Sequence, residues 1–465
     1  MLFRSWHIPH RVTDGYGLKA PVIEEAARAG VKLLMTVDCG TTSFQELALA
    51  KRLGMETVVV DHHELLPAGK PPASAFLNPL QEGCSYPNKG LASVGVAFTL
   101  ARGLMEDSPQ RVWDHLDLVA LGTIADLSPL VGENRILVKA GLHRLQGTRK
   151  VGLRALLSQS KLDGPRLTTE DVSFTLAPRL NAMGRLGSAE ASLKLLITED
   201  LETAQSIVKS MAQQNKTRAA LEREAFRRAL IRVEREMNFA RERVIVLEDE
   251  RMNLGVAGII ATRLAHRFHR PAVVIAMNGP VCRGSARSIS AFPLLEAFEQ
   301  VKEHLLEFGG HSAAAGLTIA REQIGPFRQA LNRVAHEQMD PEMLTPSLEV
   351  DAQLPLASLT DEFMRDLELL APFGMGNPRP IFVSENAQIP LEQEGTDYSP
   401  FGIRFHVEDG QGRCFLVLQP RQNLEENWNL RRLRGGLVNL AYSPVRHQDG
   451  DRLRLELKLH DLKLL

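Results

Sequence analysis

The spacing of apolar and polar positions changes period several times along the chain, and each change predicts an element. VIEEAARAG reads as a helix closed by Gly30, and VKLLMTVDCG as a buried strand. SFQELALAKRLG has helical spacing, with Ser43 as its expected cap and Gly54 at its end. METVVVDHH is the next strand. Strand, helix and strand in that order make a β-α-β unit, whose helical crossover sets the two strands parallel. Asp38 and the run Asp61-His62-His63 then leave the same carboxyl edge of one sheet. Ligands of open α/β sheets bind at that edge.

Residues 111 to 146 read as mostly helical around LDLVALGTIADLSPL, with Asp126 where the apolar run breaks before Pro129. The longest helical pattern covers about 199 to 243. Phe226, Leu230, Val233 and Met237 recur there as one apolar stripe. Arg218, Arg223, Arg227, Arg228, Arg232 and Arg235 lie along the same stretch, which reads as an exposed connector with a solvated charged face. A second α/β pattern follows: RVIVLED, the helix GVAGIIATRLAHRF and the strand PAVVIAM. From residue 341 the pattern shortens to IFVSENAQI, IRFHVED, CFLVLQP, GLVNLAYSPV and RLRLELKL, separated by turn residues. Such a run predicts a small β-barrel or sandwich.

Composition changes this picture little. The 465 residues suffice for about three domains. A net charge of −1 leaves any basic surface local rather than global. Cys39, Cys84, Cys282 and Cys414 are too scattered for a zinc site or a disulfide framework, which suits a reducing cytoplasm. No apolar run reaches membrane-spanning length, and MLFRSWHIPHR lacks the apolar core of a signal peptide.

The chemistry-bearing candidates are Asp38, His62 and Asp126. Carboxylate oxygens with an imidazole suit Mn²⁺ or Mg²⁺ better than they suit a thiolate-seeking metal. Asp61 is placed to hold a histidine in one tautomer. Such a site would lower the pKa of a bound water and neutralise phosphate oxygens, as phosphodiester hydrolysis requires. Residue type alone leaves a metal site and an ordinary strand-end turn both open.

VVVDHHE resembles the signature of the DHH phosphoesterase superfamily, and the surrounding motifs are similar to those of RecJ-type single-strand-specific exonucleases. They run in order: HIPHRVTDGYGL (His7 to Leu18), VDCGTTS, LGTIADLSPL (Leu121 to Leu130), APRLNAMGRLG (Ala177 to Gly187), GSARSI (Gly284 to Ile289), FGGHSAAAGL (Phe308 to Leu317) and LAPFGMGNPRPIF (Leu370 to Phe382). The resemblance implies an α/β protein in four parts. A parallel-sheet DHH domain would occupy 1–198, a connector helix 199–243, a DHH-associated substrate-binding domain 244–340, and an OB-like nucleic-acid-binding domain 341–465. It implies a two-metal Mn²⁺ or Mg²⁺ site with Asp38, His62 and Asp126 as ligands, and Asp61 and His63 as catalytic residues in supporting or substrate-facing roles. Arg179, Asn181 and Arg185 would contact the substrate. Arg287, Ser288, Gly309, Gly310 and His311 would bind a phosphate or the strand's end. Without the resemblance, the first three are helix-surface or turn residues, and Gly309-Gly310 is an ordinary turn.

The expected activity is removal of nucleotides from the 5′ end of single-stranded DNA in repair and recombination. The implied partners are single-stranded DNA, a single-strand-binding protein and a helicase, with no membrane. Trp428, Phe401 and Phe405 are candidate stacking platforms, with core packing as the other reading. Arg431, Arg432 and Arg434 are candidates for a basic groove or a solvated loop. Two departures stand out. The family's Asp-x-Asp-x-Asp-Gly motif is absent, so the first strand and its metal ligands are expected to be missing and the neighbouring strand's edge exposed. Asn253 stands where the family has a histidine. The alternatives are a DHH phosphodiesterase for oligoribonucleotides or cyclic dinucleotides, and an inactive DNA- or partner-binding relative.

Overall fold

The computed structural model describes residues 5–9, 17–164, 166–186, 189–392, 397–399, 402–420, 433–449 and 452–465. By internal contacts the chain divides into two units, Met1–Glu82 with Leu145–Ser347, and Gly83–Arg144 with Leu348–Leu465.

In the first unit, β-branched and leucine-rich runs form β1 (Leu33–Val37), β2 (Glu56–Val60) and β3 (Ala75–Leu77). They pair in parallel in the order β1-β2-β3, with Val37 opposite Val60 and Val60 opposite Leu77. The helix Phe44–Arg52 makes the crossover. Ser43 occupies its N-cap position, but its side chain accepts no capping hydrogen bond. Among the described residues β1 pairs with β2 alone, and it is not the buried strand its sequence predicts. Leu33 and Val37 are 52% and 58% exposed. The sheet rests on a small cluster of Ile23, Ala50 and Met55.

The second sheet of this unit contains β4 (Ile245–Asp249), β5 (Ala272–Ala276), β6 (Val281–Arg287), β7 (Glu307–His311) and β8 (Ala314–Ala320), ordered β4-β5-β6-β8-β7. Only the β4–β5 pair is parallel. The alternation of strand side chains supplies two cores. Val273 and Ile275 pack with Phe298 and Phe327 on one face. Ala272, Val274 and Ala276 pack on the other with Val256, Ile260 and Leu264 of the helix Leu254–Phe268. Asn253 caps that helix, its Oδ1 accepting from Gly255 N–H at 2.8 Å.

The long helix runs Leu201–Glu236, capped by Asp200, whose Oδ2 accepts from Thr203 N–H at 2.7 Å. It stops before the predicted 243. Ala204, Val208 and Met211 are buried in its first half; toward the second sheet the buried stripe is Ala225, Ala229 and Val233, with Phe226 and Met237 at the margin. Arg223, Arg227 and Arg235 are exposed, as a solvated face predicts, but Arg228 and Arg232 are not simply solvated. Arg228 pairs with Asp249 at 3.0 Å, and Arg232 with Glu248 at 3.4 Å. Arg263 pairs with Glu222 at 3.2 Å and lies over the Phe226 ring. Small alanines let the helix approach the second sheet closely, and that approach brings its arginines to the carboxylates at the end of β4.

In the second unit, helices including Leu116–Ala125 precede seven strands. These are β9 (Ala352–Gln353), β10 (Phe382–Gln388), β11 (Asp397–Ser399), β12 (Gly402–Glu408), β13 (Cys414–Pro420), β14 (Leu437–Asp449) and β15 (Arg452–Leu464). Their order is β11-β12-β13-β15-β14-β10-β9, and a further β10–β12 pairing at Gln388 and Glu408 closes the sheet on itself as a barrel. Phe405 is fully buried in its core, so it takes the packing role and not that of a platform. Phe401, Trp428, Arg431 and Arg432 lie outside the described residues, whereas Arg434 is exposed. The loop of LAPFGMGNP is tied to the segment after Asp126: Leu130 N–H donates to Met375 O at 2.6 Å, and Arg135 to Leu369 O at 2.9 Å. No described helix is long and apolar enough to cross a membrane.

Candidate metal centre

Because β1 and β2 are in register, the residues after Val37 and Val60 leave the sheet side by side. Asp38 N–H donates to Val60 O at 3.0 Å, and Asp61 N–H to Leu77 O at 3.0 Å, so all three strand ends are joined. Asp38 sits at φ 60°, which turns the chain off the strand; Asp is one of the few residues that accepts this region readily. Gly40 follows at φ 113°, and a Cβ there would stand 2.6 Å from Thr36 Oγ1. Only glycine fits that close approach.

Asp61 is the hub. Its side chain is 1% exposed. Oδ2 accepts from Thr41 N–H at 3.0 Å and Oδ1 from His62 N–H at 2.8 Å. His63 Nδ1 lies 2.7 Å from Oδ1. Burial pushes this carboxyl up, but the hydrogen bonds from His63 and Thr41 outweigh it and hold the group well below the usual carboxylate range. An anionic acceptor at Nδ1 keeps the proton there and leaves the His63 Nε2 lone pair outward. Among the two histidines, then, it is His63 whose tautomer Asp61 sets. His62 Nε2 lies 3.5 Å from Asp38 Oδ1.

One donor atom each from Asp38, His62 and His63 falls within 4.8 Å of the others. Ligands of one ion at ~2.1 Å stand roughly 3–4 Å apart, so small side-chain rotations would close the set. A carboxylate with two imidazoles beside a buried anion is a donor set for a divalent first-row ion, Mn²⁺ among them, without selecting one by itself. The neighbouring Cys39 thiol is pushed up to about 11 by burial, with the charges of Asp61 and Asp38 adding to it, so it stays protonated at neutral pH. The sequence grouped Asp38 and His62 with Asp126. The structure draws His63 into the cluster, and places Asp126 in the second unit at the end of Leu116–Ala125. There its Oδ2 accepts from Ser128 Oγ–H at 2.6 Å.

Two polar residues of this edge escaped the sequence reading. Asn78, 2% exposed, donates to Thr41 Oγ1 at 3.1 Å and to His63 O at 2.8 Å. Thr41 thereby links Asn78 to Asp61. The available signal was position: Asn78 directly follows β3, at the same carboxyl edge as Asp38 and Asp61.

The second sheet contributes His311. Its ring stacks near His63, with centroids 6.4 Å apart and planes at 12°. Gly309 and Gly310 are strand residues of β7, paired with Gly316 and Ala315, and not a turn. A Cβ at Gly310, at φ 144°, would meet Ala314 O at 2.3 Å, so this strand pair needs glycine. Arg287 ends β6, donating to Ser285 Oγ at 3.1 Å and Ala286 O at 2.7 Å. Ser288 donates its N–H to Ala313 O at 2.9 Å and its hydroxyl to Phe292 O. Arg179 and Asn181 lie on the helix Ala177–Leu186, where Arg179 donates to Thr175 O at 2.7 Å and Asn181 is exposed. The side chain of Arg185 lies outside the described residues.

Against known proteins, the DHH family, N-terminal domain, matches residues 4–123, the DHHA1 domain 241–337 and the RecJ OB domain 350–461. The single-stranded-DNA-specific exonuclease RecJ of Bacillus subtilis is 38% identical over 413 residues, covering 88% of this chain and 52% of that protein. The Salmonella typhimurium protein of the same name is 36% identical, covering 81% of this chain and 69% of its own. The chain thus spans about half the length of the first of these relatives. A crystal structure of RecJ in complex with Mn²⁺ from Thermus thermophilus superposes with a TM-score of 0.81 at 30% identity, covering 96% of this chain and 63% of that one.

Proposed function

The chain belongs to the family of RecJ single-stranded-DNA-specific exonucleases, and from that premise we propose that it hydrolyses phosphodiester bonds from the 5′ end of single-stranded DNA with a divalent metal. The observation that carries the reading is the cluster of Asp38, His62 and His63 around the buried Asp61 carboxylate, with His311 stacked against it. Asp38, His62 and His63 would hold Mn²⁺ or Mg²⁺. A bound ion supplies an acidified water and charge neutralisation on the phosphate. The chain's own residues do the rest. Asp61 fixes the His63 tautomer and, through Thr41 and Asn78, the loop after β1. Arg287 and the β7–β8 backbone around Gly309 and Gly310 are suited to a terminal phosphate, and Ser288 holds that corner in place. Arg179, Asn181 and Arg185 would meet the strand. Work in repair and recombination within a reducing cytoplasm fits four cysteines that are all free. A single-strand-binding protein and a helicase are the partners proposed.

The test is a 5′-phosphorylated, labelled oligodeoxynucleotide with Mn²⁺ or Mg²⁺. Mononucleotides should be released from the 5′ end, and both EDTA and Asp38→Ala should stop the release. Binding of the strand without release by the wild type under either metal would overturn the enzyme reading and leave a DNA-binding relative. Release that survives Asp38→Ala would overturn the assignment of the metal.

A further inference from the structure

Phe174 is 73% exposed, although Val172 and Leu176 on either side of it are fully buried. It lies in a π-helical turn, Val172–Leu176, in which Ala177 N–H reaches back to Val172 O. The cause is in the sequence. In an α-turn the N–H of residue 178 would bond to Phe174 O, but Pro178 has no N–H, and its ring would strike that carbonyl. The helix widens instead, as π-turns do at such interruptions and often at functional sites. The widened turn is firmly held. Thr168 and Asp171 form a capping box before it, and Ser192 Oγ donates to Leu180 O at 2.8 Å after it.

The same turn anchors a cation. Arg179 Nη1 donates to Thr175 O at 2.7 Å, which folds the guanidinium back one turn, onto the carbonyl of the residue after Phe174. Among the described residues no carboxylate pairs with it. A lone exposed apolar side chain is ordinary. An outward aromatic ring on a stiff helical irregularity, next to a half-buried guanidinium that lacks an anionic partner, is a combination with a specific complement. Single-stranded nucleic acid offers that complement in every nucleotide: a flat π-face and a phosphate.

We propose that Phe174 is a stacking platform for one unpaired base of the bound strand, with Arg179 taking an adjacent phosphate. The inference rests on the single-strand reading above and assigns a positioning residue within it. A stack accepts any base, so the platform sets where the strand lies without sequence preference.

The experiment measures binding of 5′-phosphorylated oligothymidylate to the whole chain by fluorescence anisotropy, in EDTA and again with Ca²⁺. Each nucleotide in turn is replaced by an abasic unit. For the wild type, one abasic position should weaken binding by about tenfold. Phe174→Ala should lose about the same on the intact strand and lose nothing further at that position. Phe174→Tyr should bind like wild type, and Phe174→Leu like Phe174→Ala. The ring is outside the core, so circular dichroism melts should coincide for all four proteins. Wild-type affinity in Phe174→Ala, an unchanged abasic profile, or full binding by Phe174→Leu would overturn the platform alone. A wild type that binds no single strand in either condition would overturn the single-strand reading and the platform with it.

Discussion

The two sheets of the first unit are built on opposite principles. The second sheet is covered on both faces where β4 and β5 lie: every residue of β5 is buried, and alternate side chains enter two separate cores, whereas β7 at its far edge is largely exposed. The first sheet has three short strands, an apolar cluster of modest size, and an outer strand whose Leu33 and Val37 face solvent. Its carboxyl edge is ordered by polar ties instead. Asp61 alone joins the loop after β1, the backbone of His62 and the ring of His63. The lesson is a division of labour: apolar burial stabilises the sheet that carries the glycine strand, while a buried anion organises the sheet that carries the donor atoms.

Substitutions can break that comparison. The largest effect on stability belongs to the second sheet. Ile275→Ala empties a fully buried site and should cost about 2–5 kcal/mol in urea unfolding. A loss below about 1 kcal/mol would mean that the second sheet is no better packed than the first. Gly310→Ala comes next. Its Cβ would press on Ala314 O at a strained φ, so a cost of about 3 kcal/mol and a weakened grip on a 5′-phosphorylated strand are expected. If the stability is unchanged, β7 is not held in the register described.

Asp61→Asn tests the other principle. It keeps the size of the side chain but removes the anion facing His63 Nδ1. Mn²⁺ affinity by calorimetry should fall about 10–100-fold, the usual cost of losing a partner behind a metal-binding histidine. Undiminished affinity would show that the cluster does not depend on its buried carboxylate. The smallest effect is expected at the open strand: Leu33→Thr should change stability by no more than about 0.5 kcal/mol. A loss comparable to Ile275→Ala would show that β1 is covered in solution, and that the contrast between the sheets is less than their exposures suggest.

Much of the first sheet was legible in the sequence. Strand, helix and strand could be read from local period, and parallel pairing alone put Asp38 beside Asp61-His62-His63. The barrel strands were legible for the same reason, since alternation at period two is a local property. Other features were not. For β1 the local pattern predicted burial and the absent motif predicted an exposed edge; the exposure of Leu33 and Val37 agrees with the second, because an apolar run looks the same at an edge as in the middle of a sheet. Arg228 and Arg232 of Leu201–Glu236 looked solvated because their carboxylate partners, Asp249 and Glu248, lie on another element. Gly309-Gly310 looked like a turn because its strand partner, Gly316-Ala315, is recognisable only once β7 and β8 pair.

What the sequence determined by itself is therefore the set of elements and the chemical types at their ends: an aspartate after one strand and Asp-His-His after the next. Tertiary structure decided which of these groups meet. It gave the proton-fixing carboxylate to His63, brought His63 into one donor set with Asp38 and His62, and stacked His311 against that set from a sheet far along the chain. The reason is physical. Periodicity and capping act within a turn or a strand, whereas donor geometry depends on register and on packing between segments far apart in the chain.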